Sequence, residues 1–416
     1  MLHFIIKDIA KNGNLLTGGE SVNTLVELYD KETMENILGS CIFQPRHVVY
    51  LCDVHDNTMR REKAVYRVFQ RRKMETMPRF YYVDTGNPTA IRRALEAIAR
   101  DWSDCVFDFT GGKDLVLLMA GGFCQKYGLS GYYIDIDRQL FLPVFGCEEL
   151  EKQFAMPRLR AEDFFTASGA GILGYGHFPL SWMDEEFEQD VLRVWECIMA
   201  APGRWGSVAS FFQAAFRASA EEQLTYHTRQ RLGTGAQAMV RVDLAALRRL
   251  RAAGVLTQLE CNGDRVTFTI KNELLKKCLS NHGIWLELYG YMCAKQTGWF
   301  DDVRTSLLID WDGEDAAGTR NEVDIFLLKG ITPVFISCKM GSPSALALAE
   351  IKTISTKFGG SRSKTVLLTA SAVKSENHVI AQRARDMNIT LIDRGDLGRR
   401  DLGAQLVRIA KSWPKN

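Results

Sequence analysis

The 416-residue sequence has no apolar run near the roughly 20 residues that a membrane-spanning helix requires, so a helical membrane protein is not expected. Its start, MLHFIIKDIAKNG, has too short an apolar core for a signal peptide, which puts the expected location in the cytoplasm. A cysteine knuckle is also missing. The ten cysteines never stand closer than eleven positions apart, so no CxxC pair of the kind zinc uses occurs. Most lie in apolar stretches such as VYLCD and DCVFDF, where cysteine acts as a small core hydrophobe. Charge of one sign is lacking too: 52 Lys and Arg face 50 Asp and Glu, a formal net charge of +2. No global field draws such a chain to nucleic acid or an anionic membrane, and any polyanion site must be a local patch. Only 10 prolines, with 46% hydrophobic and 25% charged residues, leave no room for a long disordered tail.

What is present predicts two or three compact units. Across residues 1–150, the β-branched and aromatic runs FIIKDI, HVVYLCD, RFYYVDTG, CVFDFTGG and GYYIDID alternate with the intervals 22–39, 58–73, 88–102 and 113–127. Each interval is long enough for the helix of a right-handed crossover, so the expectation is an α/β, Rossmann-like parallel sheet. RQLFLP, turning near Asp137 and Arg138, would finish it as an antiparallel strand. Residues 185–280 read differently: helices EEFEQDVLRVWECIMA and VDLAALRRLRAAGV, then TQLECNGDRVTFTIKN, in which Asn262-Gly263 is a favoured hairpin turn pair. Helices followed by a hairpin predict a winged-helix-like module. Residues 281–416 give the order α-β-β-β-α-β, and no fixed-period repeat interrupts the chain.

Two constellations carry chemistry. Thr110, Gly111, Gly112 and Lys113 stand where the fourth predicted strand gives way to a helix. Backbone N–H groups at a helix start, reached closely because of glycine, favour phosphate. GxxxxGK[ST] and GxGxxG are both absent, which removes the main support for triphosphate hydrolysis and dinucleotide redox chemistry. Two further loops of small polar residues are expected on the same rim: Thr17, Gly18, Gly19, Glu20, Ser21 and Asn23, and Asp84, Thr85, Gly86 and Asn87. The plainer reading of each loop alone is turn and cap chemistry. The second constellation is Glu322 and Asp324 on one strand and Ser337 and Lys339 on the next, with Glu287 upstream on an apolar helix. Strand alternation puts each pair on one face. Clustered carboxylates beside a lysine suit metal-assisted phosphodiester hydrolysis, whereas acids and lysines on edge strands are otherwise solvated.

The order helix Glu, strand Asp, strand Lys resembles the PD-(D/E)xK nuclease superfamily. Glu287 matches the helix acid, Asp324 the strand acid and Lys339 the motif lysine; Ser337 departs, leaving SCK where the pattern has an acid, so that Glu322 or Glu350 is left to supply the missing oxygen. The N-terminal half resembles a CARF domain, with TGGK close to that family's TGGTK. Together they resemble type III CRISPR ancillary nucleases, in which a CARF sensor controls a PD-(D/E)xK effector. That resemblance implies a cytoplasmic homodimer in antiviral defence. It implies a cyclic oligoadenylate activator, usually the tetramer, gripped between two CARF domains. It also implies manganese- or magnesium-dependent cutting of DNA, RNA or both, with the metal near Glu287, Glu322, Asp324 and Cys338. The competing reading is a ligand-responsive nucleic-acid-binding regulator, CARF-like and winged-helix, whose nuclease domain is degenerate because of Ser337.

Overall fold

A computed structural model describes residues 22–56, 58–148, 153–176, 183–219, 223–234, 239–313, 320–398 and 401–412. Its first sheet is Rossmann-like: β1 (Thr24–Leu28), β2 (His47–Asp53), β3 (Met77–Val83), β4 (Cys105–Asp108), β5 (Ser130–Asp135) and β6 (Leu140–Phe145), in the order β3-β2-β1-β4-β5-β6. β1 to β5 are parallel and β6 returns antiparallel to β5, as the turn near Asp137 predicts. Helices α1 (Glu35–Phe43), α2 (Thr58–Arg71), α3 (Pro88–Asp101) and α4 (Asp114–Tyr127) fill the crossovers.

One expectation is corrected. The interval 22–39, read as a helix, holds the central strand TLVEL followed by α1, while FIIKDI lies outside the described residues. All five β1 residues are buried. A parallel strand covered on both faces is a short, almost continuously apolar run, which helical spacing can mimic over so few residues.

The chain then forms α5 (Ala161–Ala167) and β7 (Gly171–Tyr175) before entering the middle module. That module comprises α6 (Glu185–Met199), α7 (Trp205–Arg217), β8 (Thr225–Arg229), β9 (Arg231–Gly233), β10 (Met239–Arg241), α8 (Leu244–Ala252), β11 (Leu256–Asn262) and β12 (Arg265–Ile270). β11 and β12 form the expected hairpin, but Asn262 pairs with Arg265, so its two-residue turn is Gly263-Asp264 in place of Asn262-Gly263, with Gly263 at φ +58, and β8 adds to β12. Asp184 and Asp243 cap α6 and α8, each accepting a backbone N–H.

After α9 (Glu273–Leu279) and α10 (Ile284–Gln296), the second sheet contains β13 (Asp302–Asp310), β14 (Arg320–Lys329), β15 (Thr332–Lys339), β16 (Lys364–Thr369) and β17 (Thr390–Ile392), with helix α11 (Ala345–Gly359) between β15 and β16. The order is β17-β16-β15-β14-β13-β7, so a strand from the interval between the first two expected units closes the edge of the third. The two faces of this sheet belong to different cores. One face, with α10, shares a hydrophobic cluster with the middle module, from Trp195 and Phe268 to Ile336. The other, with α11, shares a cluster with the first sheet through Phe164 and Phe165 of α5.

Candidate functional site

The first sheet has its topological switch between β1 and β4, where ligands enter open parallel sheets. The TGGK turn after β4 meets the Tyr29–Glu35 loop after β1 there. Gly112 N–H donates to Asp30 Oδ2 at 3.0 Å, and Glu32 N–H donates to Asp30 Oδ1 at 2.7 Å. Asn36 brackets the same residue, accepting from Asp30 N–H at 3.2 Å and donating to its carbonyl at 3.0 Å. Gly112 has φ +127, and a Cβ there would stand 2.9 Å from Leu28 Cβ, so only glycine fits. An aspartate carboxylate thus lies in the anion-favouring turn.

Lys113 crosses the rim. Its ammonium pairs with Asp53 at the end of β2, lies 3.8 Å from Asp56 and donates to Thr85 Oγ1 at 3.2 Å. Burial disfavours the Asp53 carboxylate, but hydrogen bonds from Lys113, the Thr85 hydroxyl and His55 N–H outweigh it and hold the carboxyl well below its ordinary value. Thr110 Oγ1 accepts from Ile134 N–H at 2.9 Å. Gly111 is half-buried against Asn36. Asp84 accepts from Gly86 N–H at 2.9 Å, and Asn87 caps α3 by accepting from Thr89 and Ala90 N–H at 3.0 and 3.2 Å, so those side chains serve the turn.

Asn23 is a correction: it sits at the amino end of β1 and donates to Asp104, which precedes β4, on the rim opposite Lys113. Because the central strand is TLVEL, the loop that reaches the crevice from β1 is Tyr29–Glu35. Thr17, Gly18, Gly19, Glu20 and Ser21 lie outside the described residues. The signal for Asp30 was the polar turn DKET following the mostly apolar run TLVELY.

The same loop touches the second sheet. Both Glu32 carboxylate oxygens accept from Ser361 N–H, at 3.2 and 3.0 Å, and Arg362 pairs with Glu35 and Asp137, each at 3.1 Å. An open cavity of about 680 Å³ lies along this seam, walled by Asp30 to Glu35 on one side and Lys352 to Ser363 of α11 and its following turn on the other. Burial pushes the Glu35 carboxyl up to about 7, against the opposing pull of Arg362.

The second constellation assembles at one end of β13, β14 and β15. Asp324 Oδ2 accepts from Cys338 N–H at 2.6 Å and the Ser337 hydroxyl at 3.3 Å, and Lys339 Nζ stands 3.6 Å away. Glu287, in the first turn of α10, accepts from Ser306 Oγ at 3.3 Å. Burial, then the nearby Asp324 and Glu322 carboxylates, push Glu287 up to about 8, with Ser306 and Lys339 pulling the other way. Glu322 packs against Gly176, where a Cβ would stand 2.6 Å from its Oε1.

Ser306 escaped the sequence reading. It holds φ +49 within β13, a left-handed conformation that non-glycine residues rarely adopt, and its carbonyl accepts from Gly176 N–H at 2.7 Å. Across from it β14 turns over: Val323 packs into the α11-side cluster and Ile325 into the α10-side cluster, although regular alternation would give them one face. Cys338 is also corrected as a metal ligand. Its side chain belongs to the α10-side core, burial pushes its thiol well above the ordinary range, and only its backbone reaches Asp324. Glu350 is exposed on α11.

Asp324 pairs with Lys339 here, and burial, with the Asp324 and Glu322 carboxylates adding to it, raises the Glu287 carboxyl. Hard oxygen donors with surplus negative charge fit a divalent cation such as magnesium or manganese. Among the described residues no three His, Cys, Asp or Glu side chains are yet closed around one point.

Residues 276–406 match the family described as Card1-like, endonuclease domain. No curated protein sequence matches the chain. Among solved structures, protein VC1899 from Vibrio cholerae is similar at 17% identity and TM-score 0.73, over 95% of this chain and 100% of that one. Can2 from Sulfobacillus thermosulfidooxidans, solved in complex with cyclic tetra-adenylate, is similar at 16% identity and TM-score 0.67, over 98% of this chain and 100% of that one. Both likenesses run along nearly the whole chain, so its fold, a Rossmann-like sheet followed by a second α/β sheet, is the fold of those structures.

Proposed function

We propose that this chain, whose residues 276–406 form a Card1-like endonuclease domain, is a metal-dependent endonuclease of type III CRISPR antiviral defence, activated by cyclic oligoadenylate. The observation that carries the reading is the pairing, on one chain, of the TGGK crevice with the Glu287, Glu322, Asp324 and Lys339 cluster. The likeness to a cyclic tetra-adenylate complex supports the tetramer as activator.

In this reading the crevice residues bind phosphate. Gly112 N–H and the start of α4 offer backbone donors, and Lys113 supplies a cation. A homodimer would set two such half-sites against one symmetric ring. At the other centre, Glu287, Glu322 and Asp324 would hold the divalent cation. When bound, that ion supplies charge neutralisation at the scissile phosphate and lowers the pKa of water. Lys339 Nζ faces the same Asp324 oxygen that Cys338 N–H fixes, so the lysine is placed to neutralise phosphate charge or orient an attacking water. Ser337 donates a hydrogen bond where the pattern has an acid, which leaves Glu322 to provide the third carboxylate.

The test is incubation of plasmid and single-stranded RNA with manganese or magnesium, with and without cyclic tetraadenylate. Cutting of either substrate only with activator is the expected result. Activator binding with no cutting would select the regulator reading, and cutting indifferent to the activator would remove the sensor role.

A further inference from the structure

A second cavity, of about 640 Å³, lies between the β5–β6 side of the first sheet and the β14–β15 turn of the second. Its wall carries Arg158, Lys329, Arg362, Lys364 and Lys411 around Trp299, against the two carboxylates Asp137 and Asp301. Both acids are engaged: Asp301 by Lys329 at 2.9 Å and Gly330 N–H at 2.7 Å, and Asp137 by Arg362 at 3.1 Å. Arg158, Lys364 and Lys411 have no carboxylate partner among the described residues, and Arg158 and Lys411 are exposed. Lys329 and Lys411 stand 5.5 and 5.4 Å from the Trp299 ring centroid, so the aromatic side chain gathers cations where carboxylates are few.

Lys364 is the informative member. It is half-buried at the start of β16, and desolvation followed by Arg362 lowers its ammonium pKa, with Asp137 pulling the other way. A half-buried cation beside another cation is costly unless an anion arrives. The chain's net charge of +2 gives no general reason for such local excess.

We propose that this seam is a phosphate-binding site for a nucleic-acid chain, distinct from both the activator crevice and the carboxylate centre. The spread of the cations favours a polymer: Arg158, Lys329, Arg362, Lys364 and Lys411 come from four separate segments around one open cavity, so a chain of phosphates can meet several of them at once, with neither metal nor activator. The proposal rests on the nuclease reading only in taking nucleic acid as the polymer.

The experiment is anisotropy titration of full-length protein with labelled single-stranded RNA and labelled duplex DNA. It is run in EDTA, without activator, across a series of salt concentrations. Wild type is compared with Lys364→Gln/Lys411→Gln and with Arg158→Gln/Lys411→Gln, the second pair confined to exposed side chains in case the half-buried Lys364 is needed for folding. Thermal melting and cyclic tetraadenylate binding check that each variant is folded. The expected result is a loss of about tenfold or more in nucleic-acid affinity. The slope of log affinity against log salt should be shallower by roughly 1.5, as two lost phosphate contacts give. Unchanged slopes in folded variants overturn the site. ATP in place of nucleic acid separates the two phosphate sources: loss of ATP binding with an unchanged nucleic-acid slope assigns the pocket to a free nucleotide and overturns the chain reading. If wild type never cleaves yet the slopes fall as stated, the nuclease reading fails and this site stands.

Discussion

At the residue scale, Lys113 does two things at once. It supplies a cation to the crevice and neutralises Asp53, a carboxylate whose side chain is only 8% exposed. Lys113→Ala should therefore weaken cyclic tetraadenylate binding by about 1.5–3 kcal/mol, the value of one charge-assisted contact. It should also lower the melting temperature. Calorimetric titration and thermal melts separate the effects when Asp53→Asn is added, because that change restores stability by removing the stranded charge but leaves affinity low. The pH dependence has a definite sign. The folded Asp53 carboxyl lies below its unfolded value, so its contribution is present above about pH 4 and is lost as acid protonates it. At the other centre, Glu322→Gln and Asp324→Asn should each abolish metal-dependent cleavage in single-turnover assays. Ser337→Ala should change it by less than about tenfold, because Cys338 N–H still fixes Asp324. Loss of cleavage in Ser337→Ala as complete as in Asp324→Asn would give the serine a direct role.

Among elements, the Tyr29–Glu35 loop matters most. It places Asp30 in the TGGK turn and, within five residues, Glu32 and Glu35 against Ser361 and Arg362. A ligand phosphate entering the turn competes with the Asp30 carboxylate for Gly112 N–H, so Asp30→Asn should tighten activator binding. Arg362→Ala should leave activator affinity in place while lowering the ratio of activated to basal cleavage; titration and initial rates measure the two quantities. Glu35 adds a stability signature. Burial lifts its folded value to about 7 from 4.5, so the folded state holds the proton more strongly, and stability declines as pH rises between those values and is level above. Glu35→Gln should flatten that part of the melting-temperature profile.

The strands flanking this loop also show where sequence reading stopped. HVVYLCD, RFYYVDTG and CVFDFTGG became β2, β3 and β4 nearly as written, because apolar runs bounded by turn residues leave few alternatives. TLVEL was too short to be told from a helical segment. Ser306 was invisible altogether, since its left-handed conformation is imposed by Glu287, Gly176 and the turnover of β14 at Asp324, contacts made by residues distant in sequence.

For the whole molecule, the decisive fact is that the cores are shared. Phe165 contacts Phe326, Phe335 and Phe358 of the second sheet and α11, yet sits in one cluster with Leu25 and Val48 of the first. Phe165→Ala should therefore cost about 3–5 kcal/mol and lower the unfolding of both units together; two separated calorimetric transitions would sink the shared-core account. Association is tested by sedimentation. The protein should be dimeric at micromolar concentration without activator, because half-sites must face each other to grip one ring.

By itself the sequence determined the α/β class, the hairpin turning at Gly263, the TGGK turn and the order of Glu287, Asp324 and Lys339. Each is written in local chemistry: apolar periodicity, glycine's backbone freedom, and charged residues set in apolar strands. Tertiary structure decided the rest. It made TLVEL the central strand and so replaced Asn23 with Asp30 at the crevice, and it turned the Cys338 thiol into the core. It also brought β7, from the interval between two expected units, to the edge of the second sheet, where Gly176 supports Glu322. Those outcomes depend on which strands become neighbours, and pairing is settled by burying whole faces at once, a condition no local window of sequence contains.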